Sequence, residues 1–545
     1  MPNAKRTYSD LPEHLQALDK AGLLHLIDAP VNKDTEMHPL VRWQFRGGIP
    51  AKDRKAFLFT NITDSKGRTY DMPVVVGSLA ATPEIYGIGM NQPLDNINKA
   101  WQDAVANPIP PSEVTEAPCQ EVVITDKDLL GDGNGLDALP VPISTPGFDS
   151  APYFTNTNCI TKDPDNGIQN MGTYRAGLKD SHRLGVRMAS RIGGADGYQH
   201  WLKYQARGEK MPCAIVVGCP PLVNYCAPAK FQHGMDELSI AGGLAGGPIN
   251  IVKAKTVDLM VPAEAEIVIE GLIDTENLEP EGPFGESHGY VALESYNMAF
   301  EVTAITRKKK AVLPSIISQV TPSESSVIRR TAQQSVFLAH LRDSLGIQGI
   351  KGLVMHEPLT SVLRFIIVIM EQGAAKTEVW RALYGAANYR ADCAKFVIAV
   401  NDDIDPDNPD SIFWAMAYRS NPLEDSAVLP FRAPGHGPDA DPRPDPDSTL
   451  LIDATMESVM PPLALPKKEY MENAAKIWEE LGLPTLRPES PWHGYELGDW
   501  SEDWDKMAER AAAGLYKENG MLTAQRVRKG LIPETPAKQV EAEDD

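Results

Sequence analysis

The chain has 545 residues, 42% of them apolar and 23% charged, several times the roughly 150 residues of a common domain and enough for two or three domains with large cores. Its net charge of −22, from 74 acidic and 52 basic residues, disfavours general binding to phosphate backbones. No apolar run approaches the roughly 18–20 residues of a membrane span. No apolar stretch follows Met1–Arg6, so a secretory signal is not expected, and a cytoplasmic protein with no nucleic-acid or membrane partner is. Six cysteines, at 119, 159, 213, 219, 226 and 393, form no CxxC pair and are too sparse for a disulfide framework. Reduced, mostly buried thiols are expected.

Leu11, Leu15 and Leu18 lie at helical spacing behind Ser9 and Asp10, with Pro12 in the first turn, which predicts a helix start. Met72–Gly77 reads as a short buried strand, and Pro108–Pro111 as a linker. From about 119 to 320, short β-rich runs between Gly/Pro turns dominate, Ala214–Gly218 and Glu266–Glu270 most clearly, and favour a barrel or sandwich. The basic run Arg307–Lys310 reads as a solvated hairpin tip. Ser323–Arg342 reads as a helical link, followed by apolar runs Phe365–Met370 and Phe396–Val400 around a helical Lys376–Ala387, a smaller α/β domain. Pro434–Asp447 is a surface loop, and about 501–530 a polar helix.

There is no Walker loop and no HExxH, and Gly87-Ile88-Gly89 lacks the third glycine of a dinucleotide fingerprint. The most unusual segment is Glu279-Pro-Glu-Gly-Pro-Phe-Gly-Glu-Ser-His-Gly289, three carboxylates and a histidine on an irregular backbone. It is either a tight solvated loop or a rigid mount that aims Glu281 and Glu286 into a pocket, where two neighbouring carboxylates push their pKa values apart. Asn170–Arg175 is a strand end whose arginine fork can grip a carboxylate. Asp236-Glu237, before the glycine-rich 241–247, is a surface helix start or a metal ligand.

Together and in this order, Asn-x-x-x-x-Arg, Asp-Glu before the glycines, and Pro-Glu-Gly-Pro-Phe-Gly-Glu resemble the UbiD family of decarboxylases, over about residues 10 to 490. The resemblance implies an α+β multi-domain fold: a central split β-barrel cofactor domain, an N-terminal α+β domain and a C-terminal α/β dimerisation domain. The corresponding boundaries are 1–115, 116–322, a linker helix at 323–345, 346–500, and a helical acidic tail at 501–545. It also implies reversible, non-oxidative decarboxylation of an aromatic or α,β-unsaturated carboxylic acid with prenylated FMN, supplied by a flavin prenyltransferase, in a homodimer or higher homo-oligomer.

By the same resemblance Arg175, Glu281 and Glu286 form a catalytic Glu-Arg-Glu network. Arg175 orients the substrate and Glu286 protonates the product carbon. The flavin lies along Asn170, Gly172, Thr173, Tyr174 and Arg175, near Ser190, Arg191, Ala227, Pro228, Ala229 and Glu237, with Arg390 at its phosphate. Asn170 and Glu237 match two ligands of a divalent metal, usually manganese, and Met171, Cys226 and Ala229 offer backbone oxygens to potassium. The third metal ligand is normally a histidine, but Arg191 falls there, and an always-charged guanidinium cannot ligate a metal; His182 and His200 are the other candidates. Tyr153, Phe154 and Tyr174 are candidates for substrate specificity. The alternatives are a metal-dependent hydrolase, which lacks a His/Asp ligand cluster, and a non-catalytic flavin-binding subunit of a carboxylase, which does not need all three network residues.

Overall fold

Asp10 opens the first helix: its side chain accepts the Glu13 N–H at 3.1 Å while Glu13 accepts the Asp10 N–H at 3.0 Å, a reciprocal cap on the free donors of the first turn. The helix, Leu11–Lys20, buries Leu11, Leu15 and Leu18 as the spacing predicts. The computed structural model describes residues 6–188, 196–229, 231, 235–293, 295–433 and 447–524. Most of the Pro434–Asp447 loop and the acidic end lie outside them. The fold is a mixed α+β assembly of several sheets.

Val74–Val76 is the expected buried strand. It pairs antiparallel with Ala56–Phe59 and parallel with Leu313–Ser315, and Leu24–Ile27 completes a four-stranded sheet. This N-terminal sheet therefore takes one strand from the end of the middle region. Just past that strand, the fully buried Glu324 accepts the N–H groups of Gly77, Leu79 and Ala80 at 3.1, 2.8 and 3.3 Å. Burial nevertheless pushes its pKa from 4.5 up to about 7. The native carboxyl thus keeps its proton over a range where the unfolded one has lost it, so stability falls as pH rises from about 4.5 to 7. The part due to Glu324 is on the order of 3 kcal/mol. Urea midpoints at pH 5 and pH 8 are expected to lose that slope in Glu324→Gln.

The middle region forms a nine-stranded sheet around the long antiparallel pair Ile267–Glu281 and Ser295–Arg307. Ile267–Glu281 leads to Met211–Val217, Asn158–Lys162 and Gln169–Gly172; Ser295–Arg307 leads to Arg183–Val186, Ala176–Asp180 and Tyr153–Phe154, and also pairs with Val122–Thr125, the ninth strand. Successive side chains point to opposite faces of a strand. Ile215 and Val217 accordingly join one hydrophobic core, and Ala214 and Val216 another. That two-sided burial explains the unbroken apolar run.

Among the described residues no sheet closes on itself, so the hydrogen bonding does not make a closed barrel. Between Gln169–Gly172, at one end of the path, and Ala176–Asp180, near the other, the chain leaves the ladder for Thr173, Tyr174 and Arg175. Those three residues can bridge only about 14 Å, so the ends of the sheet approach each other around Arg175.

The basic run is not the solvated hairpin tip that the sequence suggests. Lys308 is buried and donates to Glu266 at 2.8 Å and to Asp10 at 3.0 Å; Lys309 and Lys310 are exposed. Glu266 is fully buried, and a carboxylate there needs a counter-charge. All six cysteines are free and buried, as expected.

Ser323 caps the linking helix Glu324–Ala339. The C-terminal sheet runs Ile350–Met355, Phe365–Met370, Phe396–Asn401, Asp447–Ala454, Ser426–Arg432, with the helix Lys376–Ala387 packed on it. The helices Glu502–Ala512 and Tyr516–Ala524 follow. No helix among the described residues is long and apolar enough to cross a membrane.

Candidate active site

The strand Ile267–Glu281 ends on Glu281, and after Gly282 and Pro283 the chain re-enters a short antiparallel hairpin, Phe284–Gly285 against Val291–Ala292. The segment is held from behind: Ser150 N–H donates to Pro283 O at 3.0 Å, and Gly285 N–H to Asp149 Oδ1 at 2.9 Å. Gly282 is required by closeness, because a Cβ there would lie 2.4 Å from Ser150 Oγ and 2.5 Å from Ser150 Cβ. Gly282→Ala is expected to destabilise by about 1–3 kcal/mol, the usual cost of overpacking, and Ser150→Gly is expected to restore part of it; thermal melts of the single and double variants measure both.

This mount brings the three expected network residues together. Arg175 donates from Nε to Glu281 Oε1 at 2.9 Å and from Nη2 to Glu281 Oε2 at 2.7 Å, a bidentate pair, while its Nη1 donates to Glu286 Oε1. Glu281 is buried, and Arg175 and Glu286 are nearly so. Burial pulls the Arg175 pKa down, but the two carboxylates outweigh it and hold the guanidinium above its ordinary value. The Arg175 guanidinium also lies 4.7 Å from the Phe284 ring centre, a cation–π contact, and Phe284 packs on Tyr153 at 4.2 Å. A cation that holds one carboxylate by a fork and a second by a single nitrogen can pass its free valence to an incoming carboxylate and leave the second residue as a proton carrier.

Of the three specificity candidates, only Tyr153 reaches this network. Burial, and then the Glu281 charge, raise its pKa. Phe154 is turned into the hydrophobic core. The Tyr174 ring folds back over Gly172, where a Cβ would meet its hydroxyl at 2.4 Å, and packs against the same core. Two supports were not legible as such: Phe284, which sits inside the motif but carries no charge to mark it, and Asp149, whose only signal is a turn-like Pro-Gly-Phe-Asp.

Glu237 reaches the strand that carries Asn170. Glu237 Oε2 accepts the Met171 N–H at 3.0 Å, beside Asn170 on the same strand. Asp236 caps the helix Glu237–Ala245, as one sequence reading has it, but Glu237 is buried rather than on the surface. Burial raises the Glu237 pKa to about 7. Among the described residues Asn170 Nδ2 is buried without a close hydrogen-bond partner. A desolvated carboxylate and an open amide fit a bound cation with an anion beside it, although among the described residues no three His, Cys, Asp or Glu side chains gather as a metal site.

Met171, Cys226 and Ala227 are buried, Ala229 half-buried, and Thr173 and Pro228 exposed. The Cys226 carbonyl accepts the Ala229 N–H at 3.1 Å. Ser190 and Arg191 lie outside the described residues. Of the alternative histidines, His200 lines a small cleft with Asn170 and Asp196, whereas His182 sits on the turn between Ala176–Asp180 and Arg183–Val186. Arg390 pairs with Asp392, at 3.1 Å from Nε.

Residues 112–320 match the 3-octaprenyl-4-hydroxybenzoate carboxy-lyase Rift-related domain, UbiD, and residues 329–454 match the C-terminal domain of the same enzymes. Among solved structures, the chain is similar to the UbiD-class enzyme HmfF from Pelotomaculum thermopropionicum. Against its evolved dimeric form in complex with prFMN the identity is 29% and the TM-score 0.70, covering 82% of this chain and 95% of that one. Against the same enzyme in complex with FMN they are 28% and 0.73, covering 86% and 100%. Klebsiella pneumoniae 3,4-dihydroxybenzoic acid decarboxylase (AroY), 21% identical with a TM-score of 0.70 over 93% of this chain and 99% of that one, shares the fold. The two domain matches together span more than half of the chain, and it belongs to the UbiD family of carboxy-lyases.

Proposed function

We propose that the chain is a prenylated-FMN-dependent decarboxylase of an aromatic or α,β-unsaturated carboxylic acid, acting reversibly and without oxidation. The observation that supports it is the closed set Glu281–Arg175–Glu286, with one carboxylate bound by a fork and the other by a single guanidinium nitrogen. Prenylated FMN, when bound, supplies the electron sink for the pair left by C–COO⁻ cleavage.

The chain's own residues do the rest. Arg175 receives the substrate carboxylate and orients it, Glu281 keeps the guanidinium in place, and Glu286 delivers a proton to the carbon that has lost carbon dioxide. Phe284 and Tyr153 form an apolar wall beside Arg175, which keeps water off the charged groups and strengthens their interactions. Asn170 and Glu237 would hold a divalent cation, manganese in the first instance. The carbonyls of Met171, Cys226 and Ala229 would serve a potassium ion, and Gly172, Thr173, Ala227, Pro228 and Arg390 would line the cofactor. Metal analysis of the purified protein tests the cation site: Glu237→Gln is expected to lose bound manganese, and unchanged retention would remove Glu237 from the site.

The deciding experiment is the absorption spectrum and released-cofactor mass of protein made with and without a flavin prenyltransferase, followed by a carbon dioxide release assay on a panel of aromatic acids. Prenylated FMN bound only in the first preparation, with one or more acids turned over, is the expected result. A colourless, cofactor-free protein in both preparations overturns the reading. A homo-oligomer assembled through the C-terminal domain accounts for its exposed apolar side chains Tyr418, Leu423, Val428 and Phe431. Light scattering is expected to give a dimer or larger, and a monomer refutes it.

A further inference from the structure

Behind the Phe284–Gly285 strand lies a cleft of about 350 Å³, within the ~300–1,000 Å³ range of small-molecule sites. The helix Met37–Arg46 contributes Arg42, Trp43 and Arg46, and the segment leading to Asp149 contributes Ser144 and Thr145. Arg42 is fixed in direction: Nη1 donates to Gln319 O at 3.1 Å and Nη2 to Gln319 Oε1 at 2.5 Å. Neither Arg42 nor Arg46 forms an ion pair among the described residues. The Asp149 charge reaches Arg42, yet both Asp149 oxygens are already engaged, by Thr145 N–H at 2.7 Å and Gly285 N–H at 2.9 Å.

Among the described residues two buried polar atoms near this cation have no hydrogen-bond partner, Ser144 Oγ and Gln319 Nε2. Ser144 is 2% exposed and Gln319 3%, and proteins seldom leave such buried atoms unpaired. Ser144 and Thr145 line the cleft. At its mouth Trp43 is 68% exposed, a flat apolar face that the fold itself does not cover.

The cleft is separate from the Arg175 network. Strand alternation turns Phe284 toward Arg175 and Gly285 the other way, so that a Cβ on Gly285 would lie 2.6 Å from Thr145 Oγ1 and 2.8 Å from Gln319 Cγ. One strand's thickness lies between the two.

We propose that this cleft is a second binding site, for an aromatic carboxylate. Arg42 and Arg46 take the carboxylate, and Trp43 covers the ring. Only the choice of ligand class rests on the decarboxylase reading, since the cations, hydroxyls and aromatic face stand without it.

Benzoate is the probe, titrated into the full-length holoprotein by calorimetry and tryptophan fluorescence. Two classes of site are expected. Arg42→Gln/Arg46→Gln should weaken one class by about tenfold or more, the loss of a charge-assisted pair, and Arg175→Gln should weaken the other. Trp43→Ala, at an exposed position that folding does not depend on, should weaken benzoate by about threefold to tenfold and leave inorganic phosphate unaffected. A single class that vanishes with Arg175, or benzoate affinities of both classes unchanged in Arg42→Gln/Arg46→Gln, overturns the proposal. So does phosphate displacing benzoate on equal terms with no effect of Trp43→Ala, the mark of an adventitious ion only. Absence of an Arg175-dependent class from the unsubstituted protein, with the Arg42 class present, counts against the decarboxylase reading and leaves this one standing.

Discussion

Glu286→Gln is expected to lower turnover by about 10²–10⁴-fold, the usual share of a positioned acid or base, while the bound flavin and the fold are retained. Glutamine keeps the size of the side chain and an oxygen for Arg175 Nη1, so the guanidinium stays clamped by Glu281. What it lacks is a proton it can give. The readouts are carbon dioxide release under saturating substrate and the flavin spectrum of the same sample. Activity within a few-fold of wild type, with flavin bound, would take the acid's role away from Glu286; loss of flavin would instead make the residue a support for the cofactor.

The largest stability effect is expected far from this site, at Lys308. Lys308→Met removes the cation from the fully buried Glu266, whose other carboxylate oxygen is held by the Val312 N–H at 2.8 Å. Breaking a buried pair by deleting one partner costs about 3–5 kcal/mol, whereas replacing both partners by apolar groups is often close to neutral. Lys308→Met/Glu266→Met should therefore recover much of the loss. Burial already raises the Glu266 pKa against the pull of Lys308. Without Lys308 the native carboxyl holds its proton still more tightly than the unfolded one, so the deficit should shrink as pH falls. Denaturant midpoints of the two variants at neutral and acid pH measure this, and a deficit that does not change with pH would mean that packing, not charge, is what Lys308 supplies.

The network was legible because its chemistry is concentrated in short segments: Glu281 and Glu286 fall within six consecutive residues, and Arg175 ends a recognisable run from Asn170. Helix starts were legible too, where Asp10 and Ser323 carry their own caps. What could not be read depends on partners distant in sequence. Lys308 looks like surface until Glu266 and Asp10 are placed beside it, and Glu324 looks like an ordinary first-turn acid until three N–H groups from residues 77–80 converge on it. The sheet's open pairing was hidden for the same reason, since strand spacing does not say which edges meet. Arg42 sits on the helix Met37–Arg46, and nothing local marks it as a cation held by Gln319 with no ion pair among the described residues.

The borrowed strand Leu313–Ser315 and the Glu324 clasp set a timetable for the chain as it is made. Gly77 and Glu324 are 247 positions apart, and at ribosomal speeds of about 5–20 residues per second the interval is about 12–50 s. Throughout it, Val74–Val76 has an apolar edge with no neighbour on that side, the kind of edge that recruits other chains. A truncation ending before Leu313 would make that exposure permanent, so N-terminal fragments of this protein are expected to aggregate even though most of their own sheet is intact.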